Sequence, residues 1–153
     1  MNQDSLMTEE IRGMIGKSVG EPVTCAVETS AIRRFIGAVE DFNPLWVDDS
    51  RARRAGYGKA IAPPIFINSI RPHGYMEALS DIKGFTRSLA LGTEYEFFGS
   101  VSSGDEITVE ARFVDIREKE TQRGKMLFIT IEKTYKNQDG KIVVIERSSV
   151  GKY

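Results

Sequence analysis

Apolar residues recur along this chain with two different spacings, and each change of spacing marks a place where the backbone is expected to change conformation. The clearest period of two runs from Glu106 to Arg117: Ile107, Val109, Ala111 and Phe113 alternate with Glu106, Thr108, Glu110 and Arg112. Such alternation puts one face of a strand in the core and the other in water. Thr93 to Val101, Lys125 to Lys136 and Lys141 to Val150 suit strands as well. The turn residues Asn137-Gln138-Asp139-Gly140 signal a hairpin, with further reversals at Ser103-Gly104-Asp105 and Arg123-Gly124. Upstream, Val23, Cys25 and Val27 alternate with Thr24 and Ala26, predicting a first strand within Val19 to Val27.

Helical spacing governs the rest. A capping Thr8 followed by Glu9 and Glu10, with Ile11, Met14 and Ile15 behind them, predicts a short helix ended by Gly16. Thr29 and Ser30 can cap a second helix whose stripe is Ile32, Phe35, Ile36 and Val39, ending near Asp41. Asp41 to Pro64 is rich in turn residues and reads as a functional overhang, with a short charged helix over Asp49 to Ala55. After Pro64, the run Ile65, Phe66, Ile67 and Ile70 predicts a buried central helix. Pro72 and Gly74 interrupt it, leaving Tyr75 to Leu79 as a kinked continuation or a separate turn, and Phe85 to Gly92 as a flexible connection. One strand, then helices, then four antiparallel strands is an α+β pattern whose sheet of about five strands needs an apolar element laid across one face.

A length of 153 residues with 41% hydrophobic and 28% charged residues fits one domain with one core, residues 1–153. The net charge of −1 lacks the basic excess of a nucleic-acid binder. Cys25 and His73 are the single cysteine and histidine, too few for a metal site of linked cysteines, so no metal is expected. Cys25, on a predicted strand, reads as a small core residue. Met1 to Glu10 carries acidic residues where an export signal would be basic and apolar, and no window approaches a membrane span of about 20 apolar residues, so a cytoplasmic protein is expected.

Between Ile32 and Asp48 the chain reads Ile-Arg-Arg-Phe-Ile-Gly-Ala-Val-Glu-Asp-Phe-Asn-Pro-Leu-Trp-Val-Asp, followed by Ala55-Gly-Tyr-Gly58 and Ile61-Ala-Pro-Pro-Ile-Phe66. This resembles the MaoC-like dehydratase family. More narrowly, it is similar to the amino-terminal MaoC-like domain of double-hotdog hydratases and to the paired dehydratase subunits of long-chain fatty-acid synthesis. The similarity continues through Gly104-Asp105 to the final strands. The resemblance implies a hotdog fold, an antiparallel sheet wrapped around a central helix, that dimerises. It implies dehydration of a (3R)-hydroxyacyl thioester, or hydration of a trans-2-enoyl thioester, in a tunnel at the dimer interface. No cofactor is implied beyond coenzyme A or an acyl carrier as part of the substrate.

Active relatives carry Gly-Asp-x-Asn-Pro-x-His. Here Asp41, Asn43 and Pro44 match, Glu40 replaces the glycine, and Trp46 stands where the histidine would be. An indole N–H donates a hydrogen bond and accepts no proton. The usual Ile-Ala-His-Gly, whose glycine N–H cradles the thioester oxygen, is Ile61-Ala62-Pro63-Pro64, and proline has no N–H. Loss of one such donor is worth about 3 to 4 kcal/mol in the transition state. The Ile65 N–H can substitute if the backbone shifts. In the non-catalytic branch that shares this Pro-Pro form, a partner hotdog supplies the Asp and His.

Asp41 therefore reads either as a retained catalytic carboxylate or as a turn residue, and Asn43 as a shaper of the overhang or a substrate contact. Trp46 is either a wall of the acyl tunnel or simple packing. His73 is the replacement base if the chain works alone, or a histidine satisfied by backbone. Arg51, Arg53, Arg54 and Lys59 either bind coenzyme A phosphates or a carrier protein, or make a solvated face with Asp48 and Asp49. Gly58, Pro64 and Ile65 are expected at the substrate. The reading is the substrate-binding subunit of a heteromeric hydratase/dehydratase. The alternatives are a self-sufficient homodimeric hydratase or thioesterase, and a non-enzymatic thioester-binding protein.

Overall fold

The computed structural model describes residues 5–122 and 124–153. Five antiparallel strands, β1 (Val23–Ala26), β2 (Ser88–Phe97), β3 (Glu106–Thr121), β4 (Gly124–Lys136) and β5 (Ile142–Lys152), form one sheet in the order β1-β3-β4-β5-β2. The alternation read from the sequence holds at first: Ile107 and Val109 are fully buried and Ala111 and Phe113 nearly so, while Glu110 is exposed. Strict alternation would then send Asp115 inward. A register shift between Phe113 and Asp115 prevents this and buries Ile116 instead, the expected effect of a bulge on side-chain facing. The β4–β5 hairpin is closed by Asn137, whose side-chain oxygen accepts from the amides of Asp139 (3.1 Å) and Lys141 (3.0 Å), with Gly140 at φ 73°.

Helical elements cover one face: α1 (Glu9–Arg12), α2 (Thr29–Val39), α3 (Asp49–Arg54), α4 (Tyr75–Ser80), and 3-10 turns at Pro44–Trp46 and Pro64–Ser69. Two apolar clusters result. In the first, Ile32 and Ile36 of α2 and Phe66 and Ile67 pack on Ile107, Val109, Tyr135 and Val144 of the sheet. An edge-on contact of Phe35 with Phe66, centroids 5.6 Å apart, ties α2 to the Pro64–Ser69 turn. In the second, Ile11, Tyr75 and Ile82 cover Phe113, Ile116, Leu127, Ile129 and Ile131.

Where the clusters meet, the inner face carries charge. Lys133 Nζ donates to Glu146 Oε1 at 2.8 Å, with both side chains almost wholly buried, and Glu146 also accepts from the hydroxyls of Tyr135 (2.9 Å) and Ser148 (2.6 Å). The Lys133 ammonium lies 4.7 Å from the centre of the Tyr75 ring. Burial first, and then the Glu146 charge, push the Tyr75 phenol up to about 12, and the same two causes raise Tyr135 further.

Several expected boundaries differ. The central element is a six-residue 3-10 helix and not an α-helix: the Phe66 amide reaches back three residues to Pro63 O (2.8 Å) and the Ile70 amide three residues to Ile67 O (3.0 Å). Ser88 to Gly92 is strand, not a connection, and β2 ends at Phe97 rather than Val101. Strand β1 is confined to Val23–Ala26, and helix α1 ends at Arg12 instead of reaching Gly16. Thr29 is the first helical residue of α2, whose cap position is Glu28 with no side-chain bond. Tyr75 to Ser80 is a separate helix, and Cys25 is half-buried against the first cluster. The expected reversal at Arg123-Gly124 and the reading of Met1–Asp4 rest in part on residues outside those described. Among the described residues, no helix is long and apolar enough to cross a membrane.

Candidate functional site

The Pro64–Ser69 turn and the ends of β2 and β5 enclose a cavity of about 480 Å³. Its lining is apolar: Ile61, Ala62, Pro63, Pro64, Phe66 and Ile67 on one side, Phe97, Val101 and Val144 on the other, with Gly99 between. Tyr57 and Ser100 bring two hydroxyls to the lining, and among the described residues it contains no carboxylate, imidazole, amine or thiol. Its volume lies within the usual range for a small-molecule site. Tyr57 and Phe97 stay 38% and 49% exposed, and beside the lining Ile65 and Phe98 are 43% and 59% exposed, so apolar surface continues outward from the mouth.

Within the Ile61–Phe66 segment, the Ile61 amide donates to Leu45 O (3.1 Å), that of Ala62 to Val101 O (2.7 Å) and that of Phe66 to Pro63 O (2.8 Å). Pro63 and Pro64 have no donor. The Ile65 N–H, flanked by the lining residues Pro64 and Phe66, has no internal acceptor among the described residues. It is thus a free amide beside the cavity.

Asp41 and Trp46 do come together, although not in this cavity. Glu40 ends α2 in the left-handed conformation at φ 55°, where relatives have glycine, and turns the chain so that Asp41 follows. Trp46 Nε1 donates to Asp41 Oδ2 at 3.0 Å, and the Asn43 amide approaches Asp41 Oδ1 at 3.4 Å. Asn43 in turn accepts from the Leu45 amide at 3.0 Å and caps the Pro44–Trp46 turn. Neither Asp41 nor Asn43 lines the cavity; both act locally on the overhang. Trp46 walls a neighbouring groove of about 390 Å³ with Ile32, Arg33, Lys59 and Ser103, and not the apolar cavity. The two linings are consecutive in sequence: Lys59 and Ala60 line the groove, and the next residues, Ile61 to Pro64, line the cavity.

His73 is exposed, and its backbone pairs with Glu21 through bonds of 2.9 and 2.7 Å; its imidazole does not reach the cavity. Arg51, Arg53 and Arg54 project from the exposed side of α3. Arg53 is engaged by Asp49 at 3.7 Å and by Gly58 O at 3.1 Å, and Lys59 by Ser103 O and by Asp105 at 3.9 Å. Arg51 and Arg54 have no ion pair among the described residues. Asp48 is no competitor for ligand: the Arg51 amide, chiefly, and the Ser50 amide hold its carboxyl below the ordinary range as the cap of α3. Gly58 contributes its carbonyl to Arg53 and does not line the cavity.

Of the residues expected at the substrate, Pro64 lines this cavity; Tyr57, Phe97, Ser100 and Val144 line it too and carry no mark in the sequence pattern that singles them out. The nearest things to a signal are that Tyr57 sits between two glycines of the overhang, and that Phe97-Phe98 is an aromatic pair where a strand gives way to Gly99.

Residues 13–146 match the model of the FAS1-like, dehydratase domain region family. A probable enoyl-CoA hydratase alpha subunit of Thermomonospora curvata is 29% identical over 157 residues, covering 91% of this chain and 49% of its own length. The chain thus spans about half of that relative. The fold recurs in the ChsH1-ChsH2 complex of Mycobacterium tuberculosis, with a TM-score of 0.77 at 23% identity over 87% of this chain and 83% of that one. It recurs also in the MaoC-like dehydratase of Rhodospirillum rubrum, with a TM-score of 0.65 at 24% identity over 88% of this chain and 92% of that one. The chain belongs to the FAS1-like dehydratase region family and has the hotdog fold of the MaoC-like dehydratases.

Proposed function

We propose that this chain is the acyl-binding, non-catalytic hotdog subunit of a heteromeric hydro-lyase that adds water to enoyl thioesters or removes it from (3R)-hydroxyacyl thioesters. One observation carries the reading: an apolar cavity of substrate size is lined, among the described residues, without a carboxylate, imidazole or amine. Addition of water to the enoyl double bond needs a base to take a proton from water and an acid to deliver one to the carbon next to the thioester. The lining's two hydroxyls, on Tyr57 and Ser100, have no basic side chain beside them in the lining to take up a proton. In this reading a partner hotdog supplies the Asp and His. This chain holds the acyl group against Phe66, Ile67 and Val144, and its Ile65 N–H is available to the thioester oxygen as that atom gains negative charge.

The uncovered apolar surface at the cavity mouth supports a partner there, as does the name "alpha subunit" carried by a relative and the two-protein complex among its structural neighbours. Arg51, Arg54 and Lys59 are the cations this reading assigns to coenzyme A phosphates or an acidic carrier. The Asp41–Trp46 bond props the overhang. A self-sufficient hydratase or thioesterase built on Asp41 and His73 is disfavoured because neither residue lines the cavity. Reconstitution tests the proposal. The chain, combined with the hotdog protein that co-elutes with it, is expected to hydrate trans-2-enoyl thioesters, and substitution of the partner's histidine should abolish the reaction. Turnover that survives loss of that histidine would overturn it.

A further inference from the structure

Helix α2 turns Ile32 and Ile36 to the core and leaves Arg33 and Arg34 in solvent. Of these two arginines, Arg33 lines the groove walled by Trp46, and its guanidinium has no hydrogen bond or ion pair among the described residues. Lys59 reaches the same groove from the overhang. Its ammonium donates to Ser103 O and lies 3.9 Å from Asp105, so at least one of its three N–H donors is unspent. Trp46 supplies an aromatic wall. Its Nε1–H is committed to Asp41 Oδ2 at 3.0 Å, and Asp41 does not line the groove, so the indole offers the groove carbon surface and no donor. One carboxylate, Asp49, faces the space and is answered from within the chain: Oδ1 accepts from the Ala60 amide at 2.9 Å, and Oδ2 lies 3.7 Å from Arg53.

The groove, about 390 Å³ and so of small-molecule size, thus joins an indole surface to two cations. The apolar cavity has no such combination, since its lining holds neither arginine nor lysine among the described residues. A flat aromatic ring gains by stacking on indole, and a phosphate gains from a guanidinium and an ammonium. An aliphatic acid would leave the indole unused, and a neutral aromatic would leave Arg33 unused. A nucleotide uses both.

We infer that the groove beside Trp46 is a nucleotide site, with the base stacked on the indole and a phosphate held by Arg33 and Lys59. Two sources offer this chemistry, the nucleotide end of coenzyme A and a free adenine nucleotide. The first rests on the subunit reading above and makes coenzyme A, not a carrier protein, the holder of the thioester. The second stands apart from that reading.

Trp46 is the single tryptophan, so its fluorescence reports on this groove. Coenzyme A, ADP, pantetheine and inorganic phosphate are titrated into the full chain and followed by Trp46 fluorescence and by calorimetry. Coenzyme A and ADP are expected to bind and to quench. Tighter binding of coenzyme A than of ADP assigns the site to the thioester's carrier, and equal or tighter binding of ADP assigns it to free nucleotides. Arg33→Ala should weaken binding about tenfold or more and Arg33→Lys by less, while Arg34→Ala, on the same helix but outside the groove lining, leaves it unchanged. Trp46→Phe should keep most of the calorimetric affinity that Trp46→Leu loses; both variants lack the bond to Asp41, so the difference between them isolates the ring. The inference is overturned if neither nucleotide binds at millimolar concentration, if Arg33→Ala binds as the parent chain does, or if pantetheine or inorganic phosphate matches the tighter nucleotide. The subunit reading survives any of these as long as the assembled complex needs the partner's histidine for turnover. Loss of that requirement with nucleotide binding intact removes the subunit reading and leaves this site standing.

Discussion

Replacing Lys133 by methionine removes a charge from the driest part of the sheet while keeping most of the side chain's apolar volume. The ammonium has side-chain exposure of 4% and its Glu146 partner 2%, so water replaces neither. Breaking a pair buried this deeply costs about 3 to 5 kcal/mol, because the remaining carboxylate loses its counter-charge without regaining solvent. Two hydroxyl donors, Tyr135 at 2.9 Å and Ser148 at 2.6 Å, still serve Glu146 and pull the expectation toward the lower figure. Loss of the ammonium from the Tyr75 ring, 4.7 Å away, works in the other direction by about 1 kcal/mol. Lys133→Met should therefore lose about 3 to 4 kcal/mol, a large share of the 5 to 15 kcal/mol of an ordinary domain. Lys133→Met/Glu146→Leu should recover much of this. It remains short of the parent because the Tyr135 hydroxyl keeps only Ile70 O, at 3.4 Å, and an ill-satisfied buried hydroxyl costs about 1 to 3 kcal/mol. Urea unfolding followed by far-ultraviolet circular dichroism and by Trp46 fluorescence measures both variants. A Lys133→Met protein within about 1 kcal/mol of the parent would refute the reasoning, since a charge pair open to solvent behaves that way.

Other predictions follow from single contacts. Glu40→Gly relieves a left-handed residue at the end of α2 and should add roughly 0.5 to 1 kcal/mol, seen as a rise of about 1 to 4 °C in Tm by calorimetry; a fall would mean that this turn is not left-handed. Glu118 is held below its ordinary value of 4.5 chiefly by the Ser5 hydroxyl and then by the Leu6 and Met7 amides. A depressed carboxyl contributes stability that is present above pH 4.5 and lost as pH falls through its folded value. Glu118→Gln should therefore flatten the acid limb of the stability curve below about pH 4.5 and leave the curve's shape near neutrality alone, as thermal melts across pH would show. Ala62→Phe projects a ring into the cavity wall and, in the assembled enzyme, should raise KM for long acyl thioesters well before it affects a four-carbon one; equal effects on both would remove the acyl group from this cavity.

Much of the sheet was legible because one-sided burial writes a period of two, as in Ile107, Val109, Ala111 and Phe113. The bulge before Asp115 was not, since an extra residue leaves no compositional trace there. The first half of β2 was invisible for a physical reason: Ser88 to Gly92 lies at an exposed edge, so neither face of the strand is forced to be apolar. Of the run Ile65, Phe66, Ile67 and Ile70 that announced a buried element, the last three are buried and Ile65 is exposed. Its 3-10 geometry depended on hydrogen bonds that an apolar pattern does not encode. At the site, the substitution of Trp46 for histidine was plain in the sequence, whereas its consequence, an indole bonded to Asp41 outside the cavity, required the turn at Glu40. The lining residues Tyr57, Phe97, Ser100 and Val144 come from four separate stretches with no common spacing, and only the folded sheet gathers them.

The most direct test of the central claim is made on the purified chain alone, by measuring binding of a trans-2-enoyl thioester by equilibrium dialysis and its hydration by loss of the conjugated enoyl absorbance in the same samples. Saturable binding without hydration above the uncatalysed rate is the expected result. Hydration by the isolated chain, lost on Asp41→Ala or His73→Ala, would contradict the account.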